Sequence, residues 1–336
     1  MMNRRNVFMI VILLCCTVLM SSGCGSVNSG RDTSGGVSFT ADSGNEDACI
    51  SSEISIVSQN DCARAGNLNV VAAPGKAATS TTAVAAGNPV VAKKSVLDGK
   101  KVSILGDSIS TFTGYIPADY SIFYPENGGI TKVTDTWWMR VINGTHAVYC
   151  ADASYSGSET CGLSTEMKDG RPGVGYRRLK DLTAANGTKP DVVLVYMGAN
   201  DLLGSRPLGT NNGTKPVQEG NIGNFSDAYS LMLDKIRVLY PNTQIYCLTF
   251  HEICRWNDAG VGYTFKSNIG LVSSQYNDRI KVIAKNKGIP VIDVFNDCGI
   301  KPATSKVLTI DGTHPNAQGA AQIANSIIRD LDAENK

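Results

Sequence analysis

From residue 99 onward, short apolar runs alternate with stretches of helical period, and this limits the chain to folds in which strands and helices take turns. The apolar runs cover 101–105, 147–151, 191–197, 244–250 and 290–295. Between the later runs, Phe225, Ala228, Met232, Ile236 and Leu239 form one helical stripe, and Val272, Tyr276, Ile280 and Ile283 form another. A last helix is expected over about 315–331, with Pro315 in its first turn and Ala317, Ala320, Ala321, Ala324, Ile328 and Leu331 facing inward. The pattern predicts an α/β protein whose five-stranded parallel sheet is covered on both faces. Ligands on such sheets bind beyond the carboxyl ends of the strands, so the residues just after each strand are the ones to inspect.

The aromatic residues show where a core can form. Of 8 Phe, 12 Tyr and 3 Trp, only Phe8 and Phe39 precede Phe112. Residues 25–98, with runs such as Ser34-Gly35-Gly36 and Ala77-Ala78-Thr79-Ser80-Thr81-Thr82, therefore read as a flexible low-complexity tether. Residues 1–24 carry Arg4 and Arg5, an apolar run from Val7 to Leu14, and small residues ending at Cys24. This layout predicts an export signal, too short for a permanent membrane span. Small residues before a cysteine resemble a bacterial lipoprotein signal, although Ser21 stands where that pattern prefers Leu. On that resemblance Cys24 becomes the lipidated N-terminus, its acyl chains hold the protein on a membrane at the cell surface, and residues 99–336 form the catalytic domain.

Seven cysteines lie beyond that segment: Cys49, Cys62, Cys150, Cys161, Cys247, Cys254 and Cys298. Export permits disulfides, and proximity in sequence would pair 49 with 62, 150 with 161 and 247 with 254, leaving Cys298 free. No spacing suggests zinc. A net charge of +1 without a basic cluster excludes nucleic acid as an expected partner.

After the first run comes Gly106-Asp107-Ser108, after the third Gly198-Ala199-Asn200-Asp201, and before the last helix Asp311-Gly312-Thr313-His314-Pro315. A serine hydroxyl is a weak nucleophile that needs a base to take its proton, and histidine, titrating near neutrality, suits that task. His314 is one of only 3 histidines, and Asp311 stands three residues before it, close enough to fix its tautomer. The tetrahedral intermediate needs hydrogen-bond donors for its oxyanion. Candidates are the Ser108 N–H, the Asn200 carboxamide and a glycine N–H after the second strand, with Gly157 preferred and Gly162 the alternative.

Gly106-Asp107-Ser108, the glycine near 157, Gly198-Ala199-Asn200-Asp201 and Asp311-Gly312-Thr313-His314-Pro315 resemble, in order, the four blocks of the SGNH hydrolases, also called the GDSL family. The resemblance covers about residues 100–332. It implies a flavodoxin-like three-layer α/β sandwich, Ser108 as nucleophile, His314 as base, Asp311 as its orienter, oxyanion donors from Ser108, Gly157 and Asn200, and no metal or organic cofactor. Many members carry an asparagine shortly before the second-block glycine, where this chain reads Asp152-Ala153-Ser154-Tyr155-Ser156.

Asp107, Asp201 and His251 are expected in structural roles, and His146 is assigned none. Trp137 and Trp138 offer a sugar-stacking platform, with at least one ring expected in the core. The leading expectation for function is an exported esterase removing short acyl groups, above all acetyl, from an extracellular carbohydrate. The alternatives are a lysophospholipase or thioesterase, a polysaccharide O-acyltransferase, and a non-catalytic carbohydrate-binding module.

Overall fold

The computed structural model describes residues 94–333. The expected export signal with Cys24, most of the expected tether, and Cys49 and Cys62 lie outside the described residues. Packing begins slightly before the expected boundary at 99, because Leu97 is buried in the core and Gly99 N–H bonds to the His146 carbonyl.

The elements follow in chain order. First come β1 (Lys101–Gly106), a 3-10 turn (Val133–Asp135), α1 (Trp137–Thr145), β2 (Val148–Asp152), β3 (Gly162–Leu163), α2 (Tyr176–Lys180), β4 (Val192–Tyr196) and α3 (Ala199–Leu203). After them come β5 (Asn221–Ile222), α4 (Phe225–Leu239), β6 (Gln244–Leu248), β7 (Cys254–Trp256), β8 (Gly262–Thr264), α5 (Ser273–Asn286), β9 (Val291–Ile292), α6 (Val294–Asp297), α7 (Pro302–Leu308) and α8 (Ala317–Ala333).

Five strands form the main sheet in the order β2-β1-β4-β6-β9, every pair parallel. Counted along the chain this is 2-1-3-4-5, the flavodoxin-like order, whose direction of travel reverses between β1 and β4. Every residue of β4, and all of β1 after Lys101, is buried, as a sheet covered on both faces requires. Helix α1 packs on α8, while α4 packs on α2 and α5, giving helices to each face of the sheet. The register sets Gly106 beside Tyr196, so β1 and β4 end level and deliver Ser108 and Asn200 to one edge.

Both expected helical stripes are present. The stripe from Phe225 to Leu239 is α4, started by Asn224, whose side chain accepts from Asp227 N–H at 3.0 Å. The last helix begins at Ala317, later than expected, because the Asn316 side chain accepts from both Gln318 and Gly319 N–H and so caps the first turn. Its core face also differs: Ala320, Ile323, Ala324, Ile327 and Leu331 are buried, whereas Ala321 and Ile328 sit at its half-buried margin. The expected run at 290–295 is only a two-residue strand, since from Val294 the backbone turns into α6.

The cysteine pairing is corrected. Cys150, Cys161, Cys247, Cys254 and Cys298 are all buried free thiols. Neighbours in sequence face different surroundings: the Cys150 thiol meets the Thr188 carbonyl, and burial beside Asp201 pushes the Cys161 thiol well above its usual range. Cys247 lies within β6 against Tyr229, whereas Cys254 begins the hairpin β7–β8.

Candidate active site

Ser108 stands two residues beyond β1 in a turn that the sequence closes on itself. Ser110 N–H bonds to the Asp107 carbonyl, Ile109 N–H bonds to Asp107 Oδ1 at 3.0 Å, and the Thr111 hydroxyl bonds to the Ser108 carbonyl. Trp137 and Trp138 are fully buried, so neither is a sugar platform. Their indole N–H groups bond to Ser110 Oγ at 3.1 Å and to the Ser110 carbonyl at 2.8 Å, fixing the turn from below. Glycine is required at 106 because a Cβ there would run into the Ser110 side chain and Ser154 Oγ.

Ser108 Oγ lies 2.9 Å from His314 Nε2, and His314 Nδ1 lies 2.7 Å from Asp311 Oδ2. Asp311 Oδ1 also accepts the backbone N–H groups of Thr313 and His314, at 2.9 and 2.8 Å. Burial works against its charge, but the His314 ring and these N–H donors outweigh that and hold the carboxyl down to about 2. Asp311 is thus an anion at any working pH, suited to bind an Nδ1–H and to stabilise an imidazolium.

The imidazole is held from three further directions. Phe123 stacks on its face, ring centroids 3.6 Å apart and planes 10° from parallel. Buried His251 bonds through Nε2 to the Thr313 carbonyl at 2.8 Å and through Nδ1 to the Tyr196 hydroxyl at 2.9 Å. A carbonyl only accepts, so Nε2 carries the proton and Nδ1 accepts from Tyr196. Burial pushes the His251 pKa down to about 4, which keeps the ring neutral in this role. The hairpin β7–β8 braces the same loop, with Cys254 N–H bonded to the Gly312 carbonyl at 2.8 Å and Arg255 bonded to the Thr313 hydroxyl at 2.9 Å.

Three donors at this edge have no acceptor among the described residues: the Ser108 N–H, the Gly157 N–H and the Asn200 carboxamide. Gly157 and Asn200 line one cavity of about 490 Å³. Gly157 adopts a positive φ of 78° with open space where a side chain would stand. Gly162 borders the same cavity, but it lies in the β3–β5 ladder opposite Ile222, and a Cβ there would press into Pro172.

Asp107 and Asp201 support backbone. Asp201 accepts from Thr160 and Cys161 N–H at 2.8 and 3.1 Å, tying α3 to the segment that follows Gly157. Near Ser108 lies fully buried Arg178, bonded to the carbonyls of Gly106, Ala153 and Arg171 at 2.6, 2.6 and 2.8 Å. It thereby joins the loops after β1 and β2. Burial raises the Asp107 carboxyl to about 6 and that of Asp152 to about 7 and lowers Arg178 to about 10, so this cluster carries little net charge. His146 is the left-handed cap that ends α1, far from these groups in role.

A family model for GDSL-like lipase/acylhydrolase matches residues 100–331. The chain belongs to the GDSL-like lipase/acylhydrolase family. Membership makes it a hydrolase of ester bonds, and the sandwich is the family fold. Among solved structures, a candidate GDSL-like lipase from Bacteroides uniformis is 26% identical, with 70% of this chain and 96% of that one covered and a TM-score of 0.51. One from Bacteroides ovatus is 24% identical, covering 71% of this chain and all of that one, also at 0.51. A possible lipase from Chitinophaga pinensis is 18% identical over 70% and 99%, at 0.50, a likeness of fold alone. No curated protein matches the chain.

Phe123, Tyr196, Arg178 and Arg255 were not singled out by the sequence. Nothing in the spacing marks Phe123, which reaches His314 only because Thr111 and Tyr124 fold its loop back over the edge. Arg178 looks like one of a surface pair with Arg177 until the helix is seen to turn it inward.

Proposed function

We propose that this family member is a serine esterase that removes short acyl groups, above all acetyl, from an extracellular carbohydrate. The observation that carries the proposal is the relay of 2.9 and 2.7 Å from Ser108 through His314 to Asp311. As Ser108 Oγ attacks the ester carbonyl carbon, its proton passes to His314 Nε2, and Asp311 stabilises the imidazolium that forms. The charge that develops on the carbonyl oxygen is taken by the unengaged donors of Ser108, Gly157 and Asn200. On collapse the alcohol departs with the proton from Nε2, leaving Ser108 acylated. Water then delivers a proton to the same nitrogen and its oxygen to the acyl carbon, and the serine is regenerated. The cavity beside the donors supports a small acyl group and a polar alcohol: Glu159, Arg171, Asn200 and Arg206 line it, against few apolar side chains such as Pro172 and Leu203. A lipid chain would need a longer apolar channel.

The test is a panel of acetylated xylan, acetylated mannan, acetylated peptidoglycan and a chain-length series of 4-nitrophenyl esters, run beside Ser108→Ala and His314→Ala. Release of acetate from a glycan, a preference for two-carbon acyl groups and loss of turnover in both variants are expected. Turnover that survives Ser108→Ala refutes the assignment. We also propose export and lipidation at Cys24, which radiolabelled palmitate incorporation, lost in Cys24→Ala, would test.

A further inference from the structure

The cavity beside Gly157 and Asn200 carries an uneven charge. Its ionisable side chains are Glu159, Cys161, Arg171 and Arg206. Burial keeps the Cys161 thiol protonated. Glu159 Oε2 accepts from both Nε and Nη2 of Arg206, at 2.9 and 2.7 Å, so these two charges cancel. Arg171 is exposed, and its guanidinium has no hydrogen bond or ion pair among the described residues. The cavity therefore presents one uncompensated positive charge among the same lining residues as Gly157 and Asn200.

That charge is mounted on a fixed point. The Arg171 carbonyl accepts from buried Arg178 Nη1 at 2.8 Å, and the next residue, Pro172, packs where Gly162 leaves room. The stem of Arg171 thus rises from backbone tied to the same guanidinium that holds the loops after β1 and β2. A volume of about 490 Å³ exceeds what an acetyl group fills and is of the size that accepts a whole sugar unit.

We propose that this cavity is a subsite for a carboxylate carried by the ester substrate, received by Arg171. The proposal rests on the esterase reading above. A guanidinium presents paired N–H donors that match the two oxygens of a carboxylate, and a donor set without an internal acceptor loses nothing by turning to a ligand. The carboxylate belongs to the alcohol half if the substrate is an acylated uronic acid unit. It belongs to the acyl half if the group removed is a dicarboxylic hemiester.

Matched substrates separate these sources. One pair is an O-acetylated methyl glucuronide and the corresponding O-acetylated methyl glucoside. The other is the succinyl and butyryl esters of one neutral alcohol. The wild-type protein is expected to favour the charged member of one pair, mainly through KM. Arg171→Ala is expected to lower that ratio of kcat/KM about 10-fold, the size of one charge-assisted hydrogen bond. Arg171→Lys should keep part of it, and added salt should erode it. A general loss of fold or catalysis would lower both members and leave the ratio alone. Preference in the glucuronide pair assigns the subsite to the alcohol, and preference in the succinyl pair assigns it to the acyl group. A ratio near one in both pairs, or one that Arg171→Ala does not move, overturns the subsite. Hydrolysis of 4-nitrophenyl acetate, abolished by Ser108→Ala, is scored in parallel, so that failure of the esterase reading is recognised separately.

Discussion

Replacing His251 with leucine removes both ends of the link that ties the His314 loop to the sheet. The Tyr196 O–H, which donates to Nδ1 at 2.9 Å, and the Thr313 carbonyl, which accepts from Nε2 at 2.8 Å, would each lose that bond in a buried setting, while the Tyr196 oxygen keeps the residue 251 N–H at 3.2 Å. At about 1–3 kcal/mol for each stranded group, the variant should be less stable by about 2–6 kcal/mol. That is a large share of the roughly 5–15 kcal/mol that holds a domain together. Tyr196→Phe strands both His251 Nδ1 and the His251 N–H, which donates to the Tyr196 hydroxyl at 3.2 Å, and should cost about 2–6 kcal/mol; the double variant strands neither Nδ1 nor the Tyr196 O–H, so it should fall short of the sum by a similar amount. Burial lowers the folded-state pKa of His251 from 6.5 to about 4, so the unfolded chain binds this proton first as the pH falls. The stability it contributes is therefore present above about pH 6.5 and lost progressively toward pH 4. Leucine has no such loss, so the gap between wild type and His251→Leu should be about 2 kcal/mol narrower at about pH 5 than at about pH 8. Urea unfolding of the four proteins at both pH values, with unchanged m, measures all of this. A gap independent of pH, or additive single effects, would refute the link. Turnover should fall along with stability in His251→Leu, since Thr313 directly precedes His314, the proposed base.

Asn200→Ala should lower kcat by about 100- to 1000-fold, and Asp311→Asn by as much as about 10,000-fold if it traps the wrong tautomer; wild-type steady-state rates in either would remove that residue from the site. Gly312→Ala should destabilise by at least about 1–2 kcal/mol and impair turnover, because residue 312 has a φ of 83° and a Cβ there would meet the Cys254 carbonyl oxygen; unchanged thermal melting would contradict this. Asp152 holds its proton in the folded state up to about pH 7 against a usual 3.8, so the stability this lends is full below about pH 4 and is lost as the pH rises through 7. Asp152→Asn cannot ionise, and its advantage over wild type should grow by an order of 4 kcal/mol between about pH 4 and pH 8, as read by denaturant titration.

The parallel sheet and the three chemical groups were legible because their signals are local. Runs such as Val192–Tyr196 are buried on both faces and so read as unbroken apolar stretches. Gly106-Asp107-Ser108 and the segment from Asp311 to His314 each carry their chemistry within a few residues. What escaped depends on contacts remote in sequence. Phe123 and His314 stack across a long separation, and neither residue type announces the other. Strands β3, β5, β7 and β8 are two or three residues long, too short for a period to show, yet β7 braces the loop that carries His314. Disulfide pairing failed for a related reason, because adjacency in sequence says nothing about which layer a buried thiol enters.

The two adjacent tryptophans leave the Ser108 turn with a built-in optical gauge. Two of the 3 indoles in the chain sit in the buried interior with their N–H groups on Ser110, while the third, Trp256 in β7, bonds to the Ser305 hydroxyl of α7. Intrinsic emission is thus weighted toward the backbone around Ser108. Reagents that acylate that serine, or solvents that loosen its turn, become visible by colour shift and quenching with no label attached.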